Sequence, residues 1–212
     1  KMKIQSSQIL LTAEDLENRR KYLNARNTIF ALLDLGVVPI INENDTTSTE
    51  EIRFGDNDKL SAIIANSISA EMLILLSDVN GLYTTDPKKN KDSKLLTNIT
   101  VINKTIEGYV NKSKSSFGSG GMLAKIEAAK LCMQSDIKMV IANGLKKNSL
   151  KYINSENATW FIPQKKIRSR RHQWIWSRST KIGVLHIDGG AAKALFKNSS
   201  LLAIGVKKIE GK

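Results

Sequence analysis

Three aspartates and one lysine are the residues whose setting first suggests chemistry. Asp45, Asp56 and Asp58 fall in or beside a polar stretch, residues 42–61, with few apolar neighbours to bury them. Carboxylates so placed commonly hold a divalent cation or orient donors around a phosphate. They equally make a solvated acidic loop built on Asx turns. Gly55-Asp56-Asn57-Asp58 matches half of a calcium loop, but the sixth-position Gly and the terminal Glu are missing. Lys125 closes the glycine-rich run FGSGGMLAK, residues 117–125. A glycine-rich turn opening a helix lets backbone N–H groups approach an anion, and the helix dipole favours negative charge there. A cation in the first turn of that helix is electrostatically misplaced, and a bound phosphate would remove the conflict. The loop is not a Walker A motif, whose lysine directly follows the last glycine and precedes Ser/Thr. The same residues also describe a flexible surface loop with a solvated lysine.

The elements around these residues read as alternating helices and buried strands. Thr12 before Ala13-Glu14-Asp15 predicts a helix start, and spaced apolar residues carry one helix through Leu35 to a stop at Gly36. Residues 37–41, 72–76 and 138–141 are short apolar runs ending in polar residues and glycines. Runs apolar on both faces predict parallel strands, and ligands of open α/β sheets bind beyond their carboxyl ends. Ser77-Asp78 and Asn143-Gly144 occupy two of those ends, where they could contact a nucleotide or cap a turn. Pro39 is awkward inside the first run, since it donates nothing to a ladder, and points to an edge or bulge. After the loop, Met122, Ile126, Ala129 and Met133 predict the buried stripe of a helix. Farther on, β-like runs at 183–187 and 201–206 flank a short helix at 191–196.

The bulk numbers narrow the function classes. The 212 residues carry 33 Lys/Arg and 20 Asp/Glu, a net charge of +13. Twelve of those basic residues and only two of the acidic ones lie from Trp160 onward, so the first three-quarters is near balance. A polyanion-binding main domain is disfavoured; a basic tail carrying Arg168, Arg170, Arg171, Trp174 and Trp176 suits a solvated linker or an RNA-contacting surface. The lone Cys132 forms no internal disulfide, which fits a reducing cytoplasm, and thiolate metal sites are excluded. No apolar run is long enough to span a bilayer, so no membrane partner is expected.

Four segments in order, ILLTAEDLENRRKYLNARNTIFALLDLGVVPIINEND, EIRFGDNDKLSA, LLSDVNGLYTTDP and GSGGMLAKIEAA, resemble the glutamate 5-kinases of the amino-acid kinase family. The similarity runs from about Ile4 to Pro163. It implies an α/β fold, the three-layer α/β/α sandwich of amino-acid kinases, over residues 1–163. TWFIP, RSRRHQWI, GVLHIDGGAAKAL and SLLAIGV resemble the later part of chains in that family: a basic linker, 164–178, and the beginning of a small β-rich PUA-like domain, 179–212. The implied reaction moves the γ-phosphoryl group of ATP, with Mg²⁺, to the γ-carboxylate of L-glutamate, the first step of proline biosynthesis.

By position, the resemblance implies that Asp45 and Asn57 bind glutamate and that Asp56 and Asp58 organise the reacting groups. Ser77 and Asp78 would bind ATP together with Ser119, Gly120, Gly121, Met122, Leu123, Ala124 and Lys125. Lys125 would also stabilise charge on the transferring phosphoryl. No protein ligand to a metal is implied. Family members are typically homo-oligomers inhibited by proline, and a PUA-like tail implies an RNA contact. Aspartate, N-acetylglutamate, uridylate and carbamate kinases are the competing enzymes, and an RNA-binding protein acting through its basic C-terminal region is the competing class. GDNDKLSA and the PUA-like tail favour glutamate 5-kinase over the other kinases, and a partial PUA-like domain beside a near-neutral main domain argues against the RNA-binding reading. The family's opening strand, with its Lys-x-Gly-Ser/Thr motif, and its Ser-rich glutamate loop find no match. The expectation is therefore a fragment cut at both ends, weakly active or inactive, with an open sheet position and an aggregation risk.

Overall fold

The computed structural model describes residues 3–47, 57–87, 89–112, 119–153, 156–164, 183–197 and 199–211. Asp56, the start of the glycine-rich loop at 117–118 and the Arg/Trp segment at 168–176 lie outside the described residues. The chain forms two compact units, Lys1–Ser177 and Arg178–Lys212.

The first unit opens with β1 (Ser6–Leu11), which the Ser/Gln-rich sequence there does not announce. Thr12 then caps α1 (Ala13–Glu17) through a full capping box: its hydroxyl accepts from the Asp15 N–H, and Asp15 accepts from the Thr12 N–H at 2.8 Å. The expected single helix is in fact two. Asn18 takes an extended conformation, and its side chain accepts from the Arg20 and Lys21 N–H groups, so α2 (Arg19–Asp34) starts afresh. Gly36, at φ +72°, ends the helical stretch in the left-handed conformation that glycine adopts without strain. The chain returns as β2 (Val38–Glu43), parallel to β1 with Ile9 opposite Ile41. Pro39 is accommodated because, among the described residues, β2 is paired on one side only.

A second sheet has the order β3-β5-β6-β4, with β3 (Met72–Ser77), β4 (Asn98–Ile99), β5 (Lys138–Asn143) and β6 (Thr159–Phe161). The apolar runs of β3 and β5 pair in parallel, as apolar residues on both faces predict, while β6 runs antiparallel to β5. The helices α3 (Asn57–Ser67), α4 (Lys104–Lys112) and α5 (Ser119–Gln134) cover one face. Leu75, Met139, Ile141 and Phe161 pack there against Ala62 and Ala65 of α3 and Ile126, Ala129 and Cys132 of α5. The expected α5 stripe is therefore the core face. On the opposite face Ile74, Val140 and Trp160 meet Ile153, just after a 3₁₀ turn at Ser149–Tyr152. Ile9, Leu11 and Ile41 pack with Leu16, Tyr22, Ile29 and Leu60, and Leu131 touches both clusters, tying the two sheets together.

The second unit pairs β7 (Gly183–Ile187) antiparallel to β8 (Val206–Gly211), with α6 (Gly189–Phe196) between them. Asp188 caps α6 by accepting from the Ala191 N–H at 2.7 Å. The strand expected from residue 201 starts at Val206 instead, because residues Ala203–Gly205 form a 3₁₀ turn in which Gly205 lies against Ala191.

Candidate active site

Two short connections decide where the candidate residues gather. A turn of four residues joins α3 to β3, and one of three joins α5 to β5. Connections this short reverse the chain, so each helix runs back along its strand and starts near the strand's carboxyl end. Asp58, in the first turn of α3, and Lys125, in the second turn of α5, are thereby carried toward the carboxyl-terminal ends of β3 and β5, where Ser77, Asp78 and Asn143 stand.

Asp58 and Lys125, 67 residues apart, form an ion pair of 2.7 Å between Oδ2 and Nζ. Both side chains are largely withdrawn from water, at 17% and 14% exposure. Such a pair is held by geometry rather than by chance surface contact. It corrects one expectation: α5 begins at Ser119, so Lys125 stands in its second turn, and the acid that offsets its charge is Asp58. A carboxylate at the start of α3 also suits the positive end of that helix dipole. Ser119 and Gly120 are the first residues of α5, and among the described residues a side chain on Gly121 would meet nothing within 4 Å. Internal packing therefore does not require glycine there. Among the described residues nothing crowds this helix start, where an anion is favoured. Met122 and Ala124 are half-buried, while Leu123 is exposed.

At the strand ends, Ser77 and Asn143 occupy equivalent positions on β3 and β5. The Ser77 hydroxyl donates to Asp78 at 3.1 Å, and the Gly144 N–H donates to the Ser77 carbonyl at 2.7 Å. Asn143 donates through Nδ2 to Asn80 Oδ1 at 3.3 Å, and its own Oδ1 accepts from the Leu145 N–H. Asn80 in turn donates to the Tyr83 hydroxyl. The sequence marks Asn143 as a strand end that could contact a nucleotide or cap a turn, and does not single out Asn80 or Tyr83. The DVNG pattern after an apolar run is the available signal.

Asn57, at the start of α3, borders a cleft of about 380 Å³ lined by Pro39 and Ile41 of β2 and Met72 and Leu73 of β3. Asp45 is exposed on the turn after β2, beside Thr46, whose hydroxyl donates to Asn44. Among the described residues no three His, Cys, Asp or Glu side chains converge as a metal site, and no helix is long and apolar enough to cross a membrane.

Comparison with known proteins adds the lineage. The chain is 51% identical over its full length to a glutamate 5-kinase of Pelagibacter ubique, covering 58% of that protein. It is 45% identical over 97% of its length to a glutamate 5-kinase of Paramagnetospirillum magneticum, covering 56% of it. The chain thus spans little more than half the length of the curated relatives it matches. Among solved structures, the product complex of isopentenyl phosphate kinase from T. acidophilum superposes at a TM-score of 0.51 with 17% identity. That match covers 76% of this chain and 60% of the other, and it bears on the fold alone. The description "Amino acid kinase family" fits residues 1–143. The α/β architecture, the helix starts gathered at the strand ends and a match over more than half the residues lead to one assignment: this chain belongs to the amino acid kinase family.

Proposed function

We propose that this polypeptide carries glutamate- and ATP-binding machinery of a glutamate 5-kinase, which transfers the γ-phosphoryl group of ATP to the γ-carboxylate of L-glutamate. The observation that carries the proposal is the 2.7 Å Lys125–Asp58 pair at the edge where α3 and α5 begin, in a chain half identical to a glutamate 5-kinase. In this reaction a glutamate carboxylate oxygen attacks the γ-phosphorus, the bond to the β-phosphate oxygen breaks, and ADP leaves. A carboxylate is already ionised at neutral pH, so no general base is needed. Catalysis then consists of positioning and charge stabilisation.

Lys125 meets the charge on the transferring phosphoryl, and Asp58 holds the ammonium in place. Asp56 shares the organising role with Asp58. Asp45 and Asn57 bind glutamate. Ser77, Asp78 and residues 119–125 bind ATP, with the N–H groups at the start of α5 facing phosphate. Mg²⁺ accompanies ATP in this reaction class and neutralises phosphate charge; no protein ligand is assigned to it. Residues 164–178 act as a linker and 179–212 as part of a PUA-like domain. The intact protein is a cytoplasmic homo-oligomer of proline biosynthesis, inhibited by proline.

Equilibrium titration tests the substrate assignment. The chain with Mg²⁺ and a non-hydrolysable ATP analogue should bind L-glutamate saturably, at least about tenfold more tightly than L-aspartate, N-acetylglutamate or UMP. A tenfold preference corresponds to about 1.4 kcal/mol. Preference for any of those competitors would overturn the assignment.

A further inference from the structure

The turn that carries Asp78 and Asn80 is anchored from outside the candidate site. Thr159, on β6, is completely buried, and its hydroxyl oxygen accepts from the Leu82 N–H at 2.8 Å. The Leu82 carbonyl accepts from the Leu96 N–H at 2.8 Å, so both polar groups of this buried residue are tied down. One residue earlier, Gly81 lies so close to Thr159 that an added Cβ would sit 2.1 Å from Oγ1 and 2.8 Å from the threonine Cβ. Real Cβ atoms do not approach so closely, so only glycine lets this turn press onto β6. Thr159 pairs with Ile141 across the sheet, two residues before Asn143. Asn143 also reaches the same turn, through Asn80.

We propose that Thr159 and Gly81 are positioning residues that lock the 78–82 turn, and through it Asp78 and Asn80, in the register that nucleotide binding needs. This rests on the reading of Ser77 and Asp78 as part of an ATP site. Neither residue touches the nucleotide. A buried hydroxyl serves because the Leu82 N–H, shut off from water, needs an acceptor, and a threonine is also short enough to leave the glycine its space. Valine at 159 keeps the shape but removes the acceptor. Serine keeps the acceptor and loses one methyl.

The test compares the wild-type chain with Thr159→Val, Thr159→Ser and Gly81→Ala. The readouts are affinity for a non-hydrolysable ATP analogue with Mg²⁺, amide exchange at Leu82, and thermal unfolding to confirm that each variant folds. Thr159→Val and Gly81→Ala should weaken nucleotide binding about five- to tenfold, of the order expected for one lost hydrogen bond. Leu82 exchange should accelerate in Thr159→Val, while Thr159→Ser stays within about twofold of wild type. Faster Leu82 exchange in a folded valine variant with unchanged nucleotide affinity would overturn the lock alone. Failure of the wild-type chain to bind nucleotide would overturn the ATP-site assignment and the lock together. A serine variant as weak as valine would make methyl packing, not the acceptor, the cause, and would also overturn it.

Discussion

Lys125 and Asp58 hold each other from helices that adjoin only through the fold, and the pair can be separated experimentally from the chemistry assigned to it. Removing one member takes from the other, largely withdrawn from water, the partner it meets at 2.7 Å, which costs more than losing an exposed pair. Lys125→Met and Asp58→Asn should each destabilise the chain by about 1–3 kcal/mol, less than a fully buried pair because some solvent reaches both groups. The double variant should recover much of that loss, giving a coupling energy in a denaturant-melt cycle. Phosphoryl transfer by the intact protein should not recover with it: all three variants should fall by about 10²–10³-fold, the scale for removing one preorganised electrostatic contact. Activity returning together with stability in the double variant would reduce the lysine to a structural role. Lys125 is legible in the sequence through its glycine-rich approach and Asp58 through its acidic stretch. Their pairing is not, because a contact across 67 residues has no local signature. Thr159 is illegible for the same reason, since its worth lies in accepting from a buried amide 77 residues away in the chain.

At the scale of the element, the strands are readable where apolar residues run along both faces, as in β3 and β5, and unreadable where polar residues carry them, as in β1. Helix ends are readable from capping chemistry at Thr12 and Gly36, while the break at Asn18 is masked by apolar spacing that continues through it. The Thr12 capping box gives a pH test of how much such an end contributes. Burial alone would raise the Asp15 pKa, but hydrogen bonds from Thr12 and the charge of Lys21 outweigh it, so the carboxyl sits below its ordinary value of 3.8. A depressed carboxyl stabilises the fold at pH above that ordinary value, and the contribution disappears as pH falls through the lower folded-state pKa. Asp15→Asn should therefore be less stable than the parent at pH 7, and the gap should narrow steadily below about pH 4. Urea midpoints measured from pH 7 down to pH 2 check this. A gap that is constant with pH would mean that the cap acts through shape and not through its charge.

Across the molecule, the two apolar clusters meet at Leu131, and next to it Cys132 lies fully buried among Ile126, Ala129, Met139 and Phe161. Burial pushes its thiol pKa up to about 12. Both facts block modification: reagent cannot reach the sulfur, and the thiolate that would react is scarce at neutral pH. A disulfide reagent at pH 8 should leave the folded chain unmodified and label one thiol per chain in concentrated guanidinium. At intermediate denaturant the labelled fraction should follow the circular-dichroism transition of the first unit, since exposing this sulfur means opening the core shared by α3, α5 and the β3–β6 sheet. The raised pKa also predicts the alkaline limb. Between the ordinary thiol value and about 12 the unfolded chain releases a proton that the folded chain keeps, so unfolding grows easier as pH rises. Cys132→Ala should flatten that part of the stability curve, apart from what the lysines contribute in both proteins. Labelling of the native chain at the rate of a free thiol would instead mean that α5 parts from the sheet without global unfolding. The helix that carries Lys125 would then be a mobile element rather than the fixed one on which the proposed site depends.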